Sequence, residues 1–233
     1  MGKLYLIPTP IGNMKDITPR ILDTLRNVDH IYCEDTRNTR ILLSYHDIHK
    51  VLKSYHMFNE DKKCNEIIRE LNEGLDIALV SDAGYPGISD PGYLICKRAI
   101  EEGIMVSTLP GASASITALV GSGIDIDKFY FYGFLNHDEK PKRKELEELK
   151  DFHCTLIFYE SPHRIYETLE MMKEILGDRY IVIAKDLTKK YEEYIRGTIS
   201  EIISFILWPS IPPIVSNKDK AAPFLRDCGV LYY

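Results

Sequence analysis

Acidic and basic side chains occur together in two short segments, each of which follows a β-like apolar run. The first contains Glu34, Asp35 and Arg37, and the second runs from Glu160 to Arg164. A carboxylate or an imidazole can take up a proton, and an arginine can bind phosphate or stabilise charge that develops on an oxygen. These residue types suit the activation of a hydroxyl group, although a surface ion-pair cluster would give the same pattern in the first segment.

A long loop rich in glycine and proline, Ser81–Gly92, follows another apolar run. Its twelve residues include three glycines, two prolines and two aspartates. Glycine allows positive φ angles and a close approach of the backbone to a ligand, and proline restricts the conformations of the unbound loop. An ordinary tight turn needs only about two to five residues, so the sequence favours a site at which backbone groups bind a ligand.

Missing motifs narrow the class of reaction. The sequence has no GxxxxGK[ST] loop, no GxGxxG after the first apolar run and no GxSxG elbow, which leaves little support for an NTPase, a kinase or a serine hydrolase. The five cysteines lie far apart, without CxxC or Cys/His spacing. We therefore expect free thiols and no metal site.

Composition and charge are those of an ordinary globular chain. Hydrophobic residues make up 45% and charged residues 27% of the 233 residues, and no uncharged apolar run is long enough to span a membrane. The apolar start, broken by Pro8 and Pro10, reads as a buried strand rather than a signal peptide, so we expect a cytoplasmic protein without a membrane partner. The net charge of −6 is shared equally by the halves on either side of Pro110, and any nucleic-acid-binding surface must therefore be local.

Short β-like runs alternate with segments of helical periodicity, which predicts an α/β fold with a mostly parallel sheet and helices on its faces. Thr18 followed by Pro19 is a typical helix start. The predicted strands are Leu4–Ile7, Ile31–Cys33, Ile77–Ser81, Val106–Leu109, Phe129–Tyr132, Thr155–Tyr159 and Tyr180–Ala184. The predicted helices are Pro19–Arg26, Lys62–Asn72, Tyr93–Glu102, Ser113–Val120, Lys142–Lys150 and Ile165–Leu176.

A cluster of glycine and proline between Pro110 and Gly123 indicates a domain boundary, which we place between residues 112 and 113. This gives an N-terminal domain of residues 1–112 and a C-terminal domain of residues 113–233. The charged stretch His137–Lys150 has two readings. It is a solvated helix face, or its basic side chains contact phosphates: Lys140, Lys142, Arg143 and Lys144.

Many of the unusual segments match one enzyme family, and they follow one another in its order. These segments are Thr9–Asn13 (TPIGN), Asp16–Thr18 (DIT), Cys33–Arg37 (CEDTR), Ser81–Gly92 (SDAGYPGISDPG), Leu109–Ala114 (LPGASA), Gly133–Leu135 (GFL), Tyr159–Arg164 (YESPHR) and Leu187–Glu193 (LTKKYEE). On these motifs, which cover about residues 3–203, the chain resembles the tetrapyrrole methylase superfamily. Within it the chain is most similar to the ribosomal RNA small subunit methyltransferase I branch, because CEDTR together with SDAGYPGISDPG separates that branch from the corrin and porphyrin enzymes.

The resemblance implies two α/β domains with S-adenosylmethionine bound in the cleft between them, in a homodimer. It gives the N-terminal domain the substrate and part of the cofactor site, and the C-terminal domain the rest of the cofactor site. It also implies that loop backbone holds most of the ligand. The matching cofactor-binding positions are Pro8, Ser81, Asp82, Ala83, Gly84, Pro86, Ser89, Pro110, Gly111, Ala112, Ser113 and Ala114, together with Tyr159 of the second domain.

The implied reaction is 2′-O-methylation of a cytidine ribose in small-subunit (16S) ribosomal RNA, as free RNA or in the ribosomal subunit. A ribose hydroxyl is a poor nucleophile, so a base or a cation that stabilises the alkoxide is expected. Our hypothesis is that Asp35 or Glu34 helps to accept the proton. Arg37 and Arg164 then hold phosphate or stabilise developing charge. His163 is either a further catalytic group or a cap for the helix that follows it.

The chain departs from this branch at two places. Tyr85 stands where the branch usually has threonine. After about Ser204 the branch continues with a strand and a stretch rich in lysine and glycine, whereas this chain has three prolines in Trp208–Ile214. We therefore expect the final strand of the second domain, which commonly walls the adenine pocket in the family, to be missing or altered.

Two other functions fit the sequence less well. Methylation of a small tetrapyrrole-like molecule agrees with the acidic net charge, but CEDTR and SPHR argue against it. A catalytically impaired protein that binds RNA or the ribosome would follow if the altered tail abolished cofactor binding.

Overall fold

The computed structural model of the protein describes residues 1–207 and 228–232. Its contacts divide the chain into a first unit, Met1–Ser113, and a second unit, Ala114–Tyr233. This division lies one residue after the boundary expected from the sequence. The proline-rich stretch Trp208–Ile214 falls outside the described residues.

The first unit alternates strands and helices. Its strands are β1 (Lys3–Ile7), β2 (His30–Cys33), β3 (Leu52–Ser54), β4 (Ile77–Val80) and β5 (Met105–Thr108). Its helices are α1 (Pro19–Asn27), α2 (Thr36–Tyr45), α3 (Glu60–Asn72) and α4 (Tyr93–Glu101). The strands pair in the order β3-β2-β4-β1-β5, and each neighbouring pair is parallel. The predicted parallel α/β arrangement is confirmed here, whereas β3 and α2 escape the sequence prediction.

Helices cover both faces of this sheet. Ile21 of α1 and Leu43 of α2 are buried against one face, and Ile67 of α3 and Ile95 of α4 are buried against the other. Strands β1 and β4 are adjacent, yet the helices that follow them lie on opposite faces. In open α/β sheets, ligands bind beside such a switch, at the carboxyl ends of the strands.

At two of the four helix starts of this unit, a side chain satisfies a backbone donor that has no partner within the helix. Thr18 Oγ1 accepts a hydrogen bond from the Ile21 N–H at 3.2 Å, and Pro19 occupies the first helical turn. The helix start predicted at Thr18–Pro19 is therefore confirmed. Asp35 Oδ1 caps α2 by accepting from the Arg37 N–H at 2.8 Å.

The second unit has a mixed sheet. Its strands are β6 (Phe129–Phe134), β7 (Thr155–Glu160), β8 (Tyr180–Lys185), β9 (Glu193–Thr198) and β10 (Cys228–Tyr232). Its helices are α5 (Ala114–Ser122), α6 (Glu139–Leu149), α7 (Ile165–Leu176) and α8 (Ile199–Leu207). The order is β6-β7-β10-β8-β9, with only β6 and β7 parallel. The expectation of a mostly parallel sheet therefore holds for the first unit and not for the second, because β8 and β9 follow each other as an antiparallel pair and β10 runs against both of its neighbours.

Strand β10 corrects the expectation that the final strand is missing. Residues 228–232 pair along their whole length with β7 on one side and β8 on the other, both antiparallel. The altered sequence therefore still supplies a central strand. The reason is that backbone hydrogen bonds, which any non-proline residue can make, build the ladder.

The charged segment on α6 matches neither reading completely. Lys142 is only 4% exposed, and its Nζ donates to Thr168 Oγ1 at 3.2 Å. Arg143 forms an ion pair with Glu174, 2.7 Å from Nη1 to Oε1. Lys142 is therefore neither solvated nor directed at a phosphate, because the helix turns this position into the core of the unit.

Among the described helices, none is both long enough and apolar enough to cross a membrane. The cysteines whose side chains are described, Cys33, Cys64, Cys96 and Cys154, are free thiols. Within residues 1–207 and 228–232, no group of three or more His, Cys, Asp and Glu side chains is arranged to hold a metal ion.

Candidate functional site

The loops after β1 and β4 are joined by main-chain hydrogen bonds. The Thr9 N–H donates to the Gly84 carbonyl at 2.9 Å, and the Gly84 N–H donates back to the Thr9 carbonyl at 3.0 Å. Thr9 Oγ1 also donates to the Ser81 carbonyl at 3.1 Å, and Ser81 Oγ donates to the Gly84 carbonyl at 2.7 Å. Since Thr9 and Ser81 are both buried, these bonds fix Pro8, Ser81 and Gly84 relative to one another.

The loop after β5 joins the same cluster. The Gly111 N–H donates to the hydroxyl of Tyr85 at 2.9 Å. A Cβ at Gly111 would lie 2.5 Å from Cγ of Pro8, so only glycine fits between the two loops. Tyr85, the departure from the family pattern, thus links the loops after β4 and β5.

The rest of the Ser81–Gly92 loop folds back on itself. The Gly87 N–H donates to the Pro91 carbonyl at 3.2 Å, and a Cβ at Gly92 would lie 2.9 Å from the Gly87 nitrogen. Ser89 has a φ of 60°, which is uncommon for a residue with a side chain. These contacts hold the loop in one defined conformation, as its richness in glycine and proline predicts.

Asp82 connects the loop after β4 to the loop after β2. Its Oδ1 accepts from the Asp35 N–H at 3.2 Å, and its Oδ2 accepts from Asn38 Nδ2 at 2.9 Å. Loops from β1, β2, β4 and β5 therefore meet at the carboxyl edge of the first sheet. This is the edge expected to carry a ligand site.

Asp35 and Arg37 form an ion pair. This is the surface ion-pair cluster that the sequence allowed as the alternative to a catalytic role. Arg37 Nη2 lies 2.6 Å from Asp35 Oδ2, and Arg37 Nε lies 3.1 Å from the same oxygen. Hydrogen bonds from the Arg37 side chain and backbone lower the pKa of Asp35 to about 2. The Arg37 side chain nevertheless stays 85% exposed, so the pair presents a guanidinium to solvent. A carboxylate with so low a pKa is a weak proton acceptor.

Glu160, at the end of β7 in the second unit, is 2% exposed and lies within a polar network. Its Oε2 accepts from Thr168 Oγ1 at 2.6 Å, the hydroxyl that in turn accepts from Lys142. Its Oε1 lies 2.9 Å from Arg164 Nη2 and accepts from the Ser161 N–H at 2.7 Å. The buried carboxylate is thus paired directly with one cation, Arg164, and is linked to Lys142 through the Thr168 hydroxyl, a favourable arrangement for a charge removed from water.

The other residues of the YESPHR segment point to positioning roles. Arg164 also bonds to His137 Nδ1, so its side chain is held from two sides. The backbone N–H of His163 donates to Ser161 Oγ at 3.3 Å, and α7 begins without a side-chain cap. The cap proposed for His163 is therefore wrong. The hydroxyl of Tyr159 accepts from the Ser115 N–H at 3.2 Å, next to Ala114 at the start of α5.

The structure brings most of the sequence-predicted positions onto connected loops, and it adds two anchors that the sequence did not single out. In the first unit, the positions from Pro8 to Ser113 gather on connected loops, whereas Tyr159 and Arg164 belong to the second unit. Thr9 and Asn38 are the anchors missed in the first unit, whereas Glu160 was recognised from the sequence as part of the charged segment that ends at Arg164. Thr9 lies within the TPIGN motif, which was its only signal, and Asn38 lies on α2, a helix that was not predicted.

Comparison with known proteins agrees with this geometry. The family model described as Tetrapyrrole (Corrin/Porphyrin) Methylases matches residues 3–203. A protein of Bacillus subtilis (strain 168) named Ribosomal RNA small subunit methyltransferase I is 56% identical over 205 residues, which are 88% of this chain and 70% of that protein. One with the same name from Haemophilus influenzae is 47% identical, covering 88% of this chain and 73% of its own length.

Solved structures support the fold. Diphthine synthase superimposes with a TM-score of 0.71 at 14% identity, covering 99% of this chain and 88% of that one. Cobalt precorrin-4 methyltransferase superimposes with a TM-score of 0.65 at 16% identity, covering 99% and 94%. The matched span, the identity to these relatives and the shared fold lead to one conclusion: this chain belongs to the tetrapyrrole (corrin/porphyrin) methylase family.

Proposed function

We propose that this protein transfers the methyl group of S-adenosylmethionine to a cytidine 2′-hydroxyl in small-subunit (16S) ribosomal RNA. The observation that carries the proposal is the interlocked set of loops at the carboxyl edge of the first sheet. That set occurs in a chain 56% identical to a protein named for methylation of this RNA. Methylation of a tetrapyrrole-like small molecule is not favoured, because the corrin enzyme compared is only 16% identical.

The residues present fit the chemistry of the cofactor. The loops carry the carboxylate of Asp82, and a negative charge near the site favours a cationic ligand such as a sulfonium. Pro8 and Pro86 are buried in these loops and add apolar surface. S-adenosylmethionine supplies an electrophilic methyl group on a sulfonium. We propose that Pro8, Ser81–Gly84, Pro86, Ser89 and Pro110–Ala114 hold it, with Tyr159 added by family resemblance.

The catalytic roles follow from charge and exposure. Asp35 is a poor base, since its pKa is about 2, and its hydrogen bonds orient Arg37 instead. We therefore assign proton acceptance to Glu34, the half-buried neighbour on the same loop. Arg37 is exposed and holds an RNA phosphate or stabilises the forming alkoxide. Arg164, oriented by Glu160 and His137, has the same type of role in the second unit.

The remaining assignments rest on the family resemblance. We propose that the first unit binds the RNA and part of the cofactor and that the second unit completes the cofactor site. We further propose that the protein acts in the cytoplasm as a homodimer on the RNA or on the small ribosomal subunit. Its methyltransferase relatives are named for that RNA.

Two measurements test the proposal. Calorimetry should show S-adenosylmethionine binding to the wild type, and mass mapping of rRNA should show one cytidine that gains a ribose methyl group when purified protein is added. Glu34→Gln and Arg37→Ala should lower turnover by about a hundredfold or more, because a proton acceptor or a charge-stabilising group typically contributes at least that much to the rate. Cofactor binding should be unchanged.

The matched control is Arg26→Ala. Arg26 also belongs to a short-range surface ion pair, with Asp23 on α1, but it lies away from the loops of the site. This variant should keep full activity. Absence of cofactor binding by the wild type would refute the proposal, and full turnover by Glu34→Gln would refute the role of that residue.

A further inference from the structure

The loop after β3, Tyr55–Asn59, leaves the sheet at the same edge as the candidate site. Strand β3 pairs with β2 so that Ser54 lies opposite Cys33. The Tyr55 N–H continues this ladder by donating to the Cys33 carbonyl at 2.8 Å. The loop therefore begins directly beside the loop that carries Glu34 and Arg37.

Hydrogen bonds hold this loop in shape. Asn59 Oδ1 accepts from the His56 N–H at 2.9 Å, and Asn59 Nδ2 donates to Ser54 Oγ at 3.1 Å. Glu60 Oε1 accepts from the Tyr55 hydroxyl at 2.7 Å and from the Gly92 N–H at 3.3 Å. The last bond ties the loop to the end of the Ser81–Gly92 loop.

This well-held loop carries two apolar side chains in solvent. Phe58 is 90% exposed and Met57 is 71% exposed. The Phe58 and His56 rings lie in an edge-to-face arrangement, with 6.1 Å between their centroids and an interplanar angle of 62°. An aromatic ring that a hydrogen-bonded loop holds out in solvent lacks the burial that normally stabilises such a side chain, which points to a partner that covers it.

His56 adds an unused polar group beside this ring. Asn59 Nδ2 lies 3.1 Å from His56 Nε2 and donates to it, so the proton of a neutral imidazole sits on Nδ1. That Nδ1 atom is buried, and within the described residues it has no hydrogen-bond partner. Buried donors are normally paired, so the loop also lacks an acceptor for this proton.

We propose that Phe58 is a stacking platform for an unpaired base of the RNA substrate. The inference rests on the proposed function and names a further residue that binds the substrate. An aromatic ring next to a cationic side chain is the usual composition of single-stranded nucleic-acid sites, in which the ring stacks on a base and the cation contacts the backbone. Here the neighbouring loop supplies that cation as Arg37, 85% exposed.

The test asks whether RNA binding needs the aromatic ring of Phe58 or only an apolar side chain at that position. The probe is a short single-stranded RNA that carries 2-aminopurine, a base whose fluorescence falls on stacking, next to a cytidine. Phe58→Leu keeps an apolar side chain and removes the ring, so affinity should fall roughly 5- to 100-fold and the quenching should disappear. Phe58→Trp keeps the ring and should retain both affinity and quenching.

Tyr45→Leu is the matched control, since Tyr45 is an aromatic residue that is 54% exposed at the far end of α2. It should bind the probe as the wild type does. Cofactor affinity, measured by calorimetry, should stay unchanged in all of these variants, which separates this proposal from the proposed function.

Three results would overturn the platform. The first is a Phe58→Leu variant that binds the probe as tightly as the wild type, and the second is a Phe58→Trp variant whose affinity for the probe is as low as that of Phe58→Leu. The third is a Phe58→Leu variant that loses affinity for assembled small subunits but not for the RNA probe. The last would assign the loop to a ribosomal protein. Failure of the wild type to bind S-adenosylmethionine would instead refute the proposed function and leave the stacking measurement valid.

Discussion

The carboxylates Asp82 and Glu160 both follow a strand of a central sheet, but the two units hold them differently. Asp82 accepts hydrogen bonds from one backbone N–H and one amide side chain, on loops that are themselves joined by main-chain bonds. Glu160 is buried and is held by a cation, a hydroxyl and its own neighbouring N–H. The first site is built from backbone shape, whereas the second depends on charge.

This difference determines which substitutions each unit tolerates. A loop cluster made of backbone bonds and close glycine contacts is sensitive to an added methyl group, because neighbouring loops have no space for it. A buried ionic network is sensitive to the loss of one charge, because the partner charges then stay desolvated without compensation.

The largest effect is expected from Glu160→Gln. This variant leaves the partly buried Arg164 without its carboxylate partner, and such a loss costs about 3 kcal/mol of the free energy of unfolding. Denaturant unfolding followed by circular dichroism measures it. Glu174→Gln, which breaks the exposed pair with Arg143, is the control and should leave the unfolding midpoint almost unchanged. Equal effects of the two variants would contradict the view that burial makes the second unit depend on charge.

A smaller effect, concentrated on the cofactor, is expected from Gly111→Ala. The added Cβ meets Pro8 at 2.5 Å, and it should separate the loops after β1 and β5 and weaken S-adenosylmethionine binding about tenfold. Calorimetry gives the affinity. Gly103→Ala is the control: Gly103 has a positive φ of 72° but open space around the position of an added Cβ. That variant should lose some stability and keep its affinity for S-adenosylmethionine. An equal loss of affinity in Gly111→Ala and Gly103→Ala would contradict the view that close packing against Pro8 causes the loss.

The smallest effect is expected from Asp35→Asn. This substitution removes the charge of the Asp35–Arg37 ion pair from the loops of the first unit. The pKa of Asp35 is lowered to about 2. Its charged form therefore stabilises the fold above its unfolded pKa of about 4, and that contribution disappears as the pH falls toward 2. Asparagine keeps the helix cap but not the charge. Wild type and variant should differ slightly at neutral pH and converge in thermal unfolding only below about pH 2. A difference that persists below that pH would show that the charge is not its cause.

Much of the first unit could be predicted from the sequence. Its buried parallel strands are apolar runs, and its first helix begins with Thr18 and Pro19, whose capping chemistry is local. The Ser81–Gly92 loop was recognisable because glycine and proline restrict backbone conformation directly. Strand β3 escaped because Leu52–Ser54 has only three residues and no buried side chain.

What could not be predicted depends on contacts between residues distant in sequence. Lys142 looks like a surface lysine until α7 brings Thr168 against it. The weak basicity of Asp35 follows from the side-chain geometry of Arg37, which the order of residues does not specify. Strand β10 had no family pattern to reveal it, because a backbone ladder requires little of the side chains.

Strand β10 also affects how the second unit folds and when it can aggregate. It occupies the middle of its sheet, so both β7 and β8 have an unpaired flank until residues 228–232 arrive. Pairings between segments so far apart along the chain form slowly, and an open strand flank is a template on which other chains add. The interval before this strand inserts is therefore the period in which the second unit offers two open strand flanks, those of β7 and β8, to other chains.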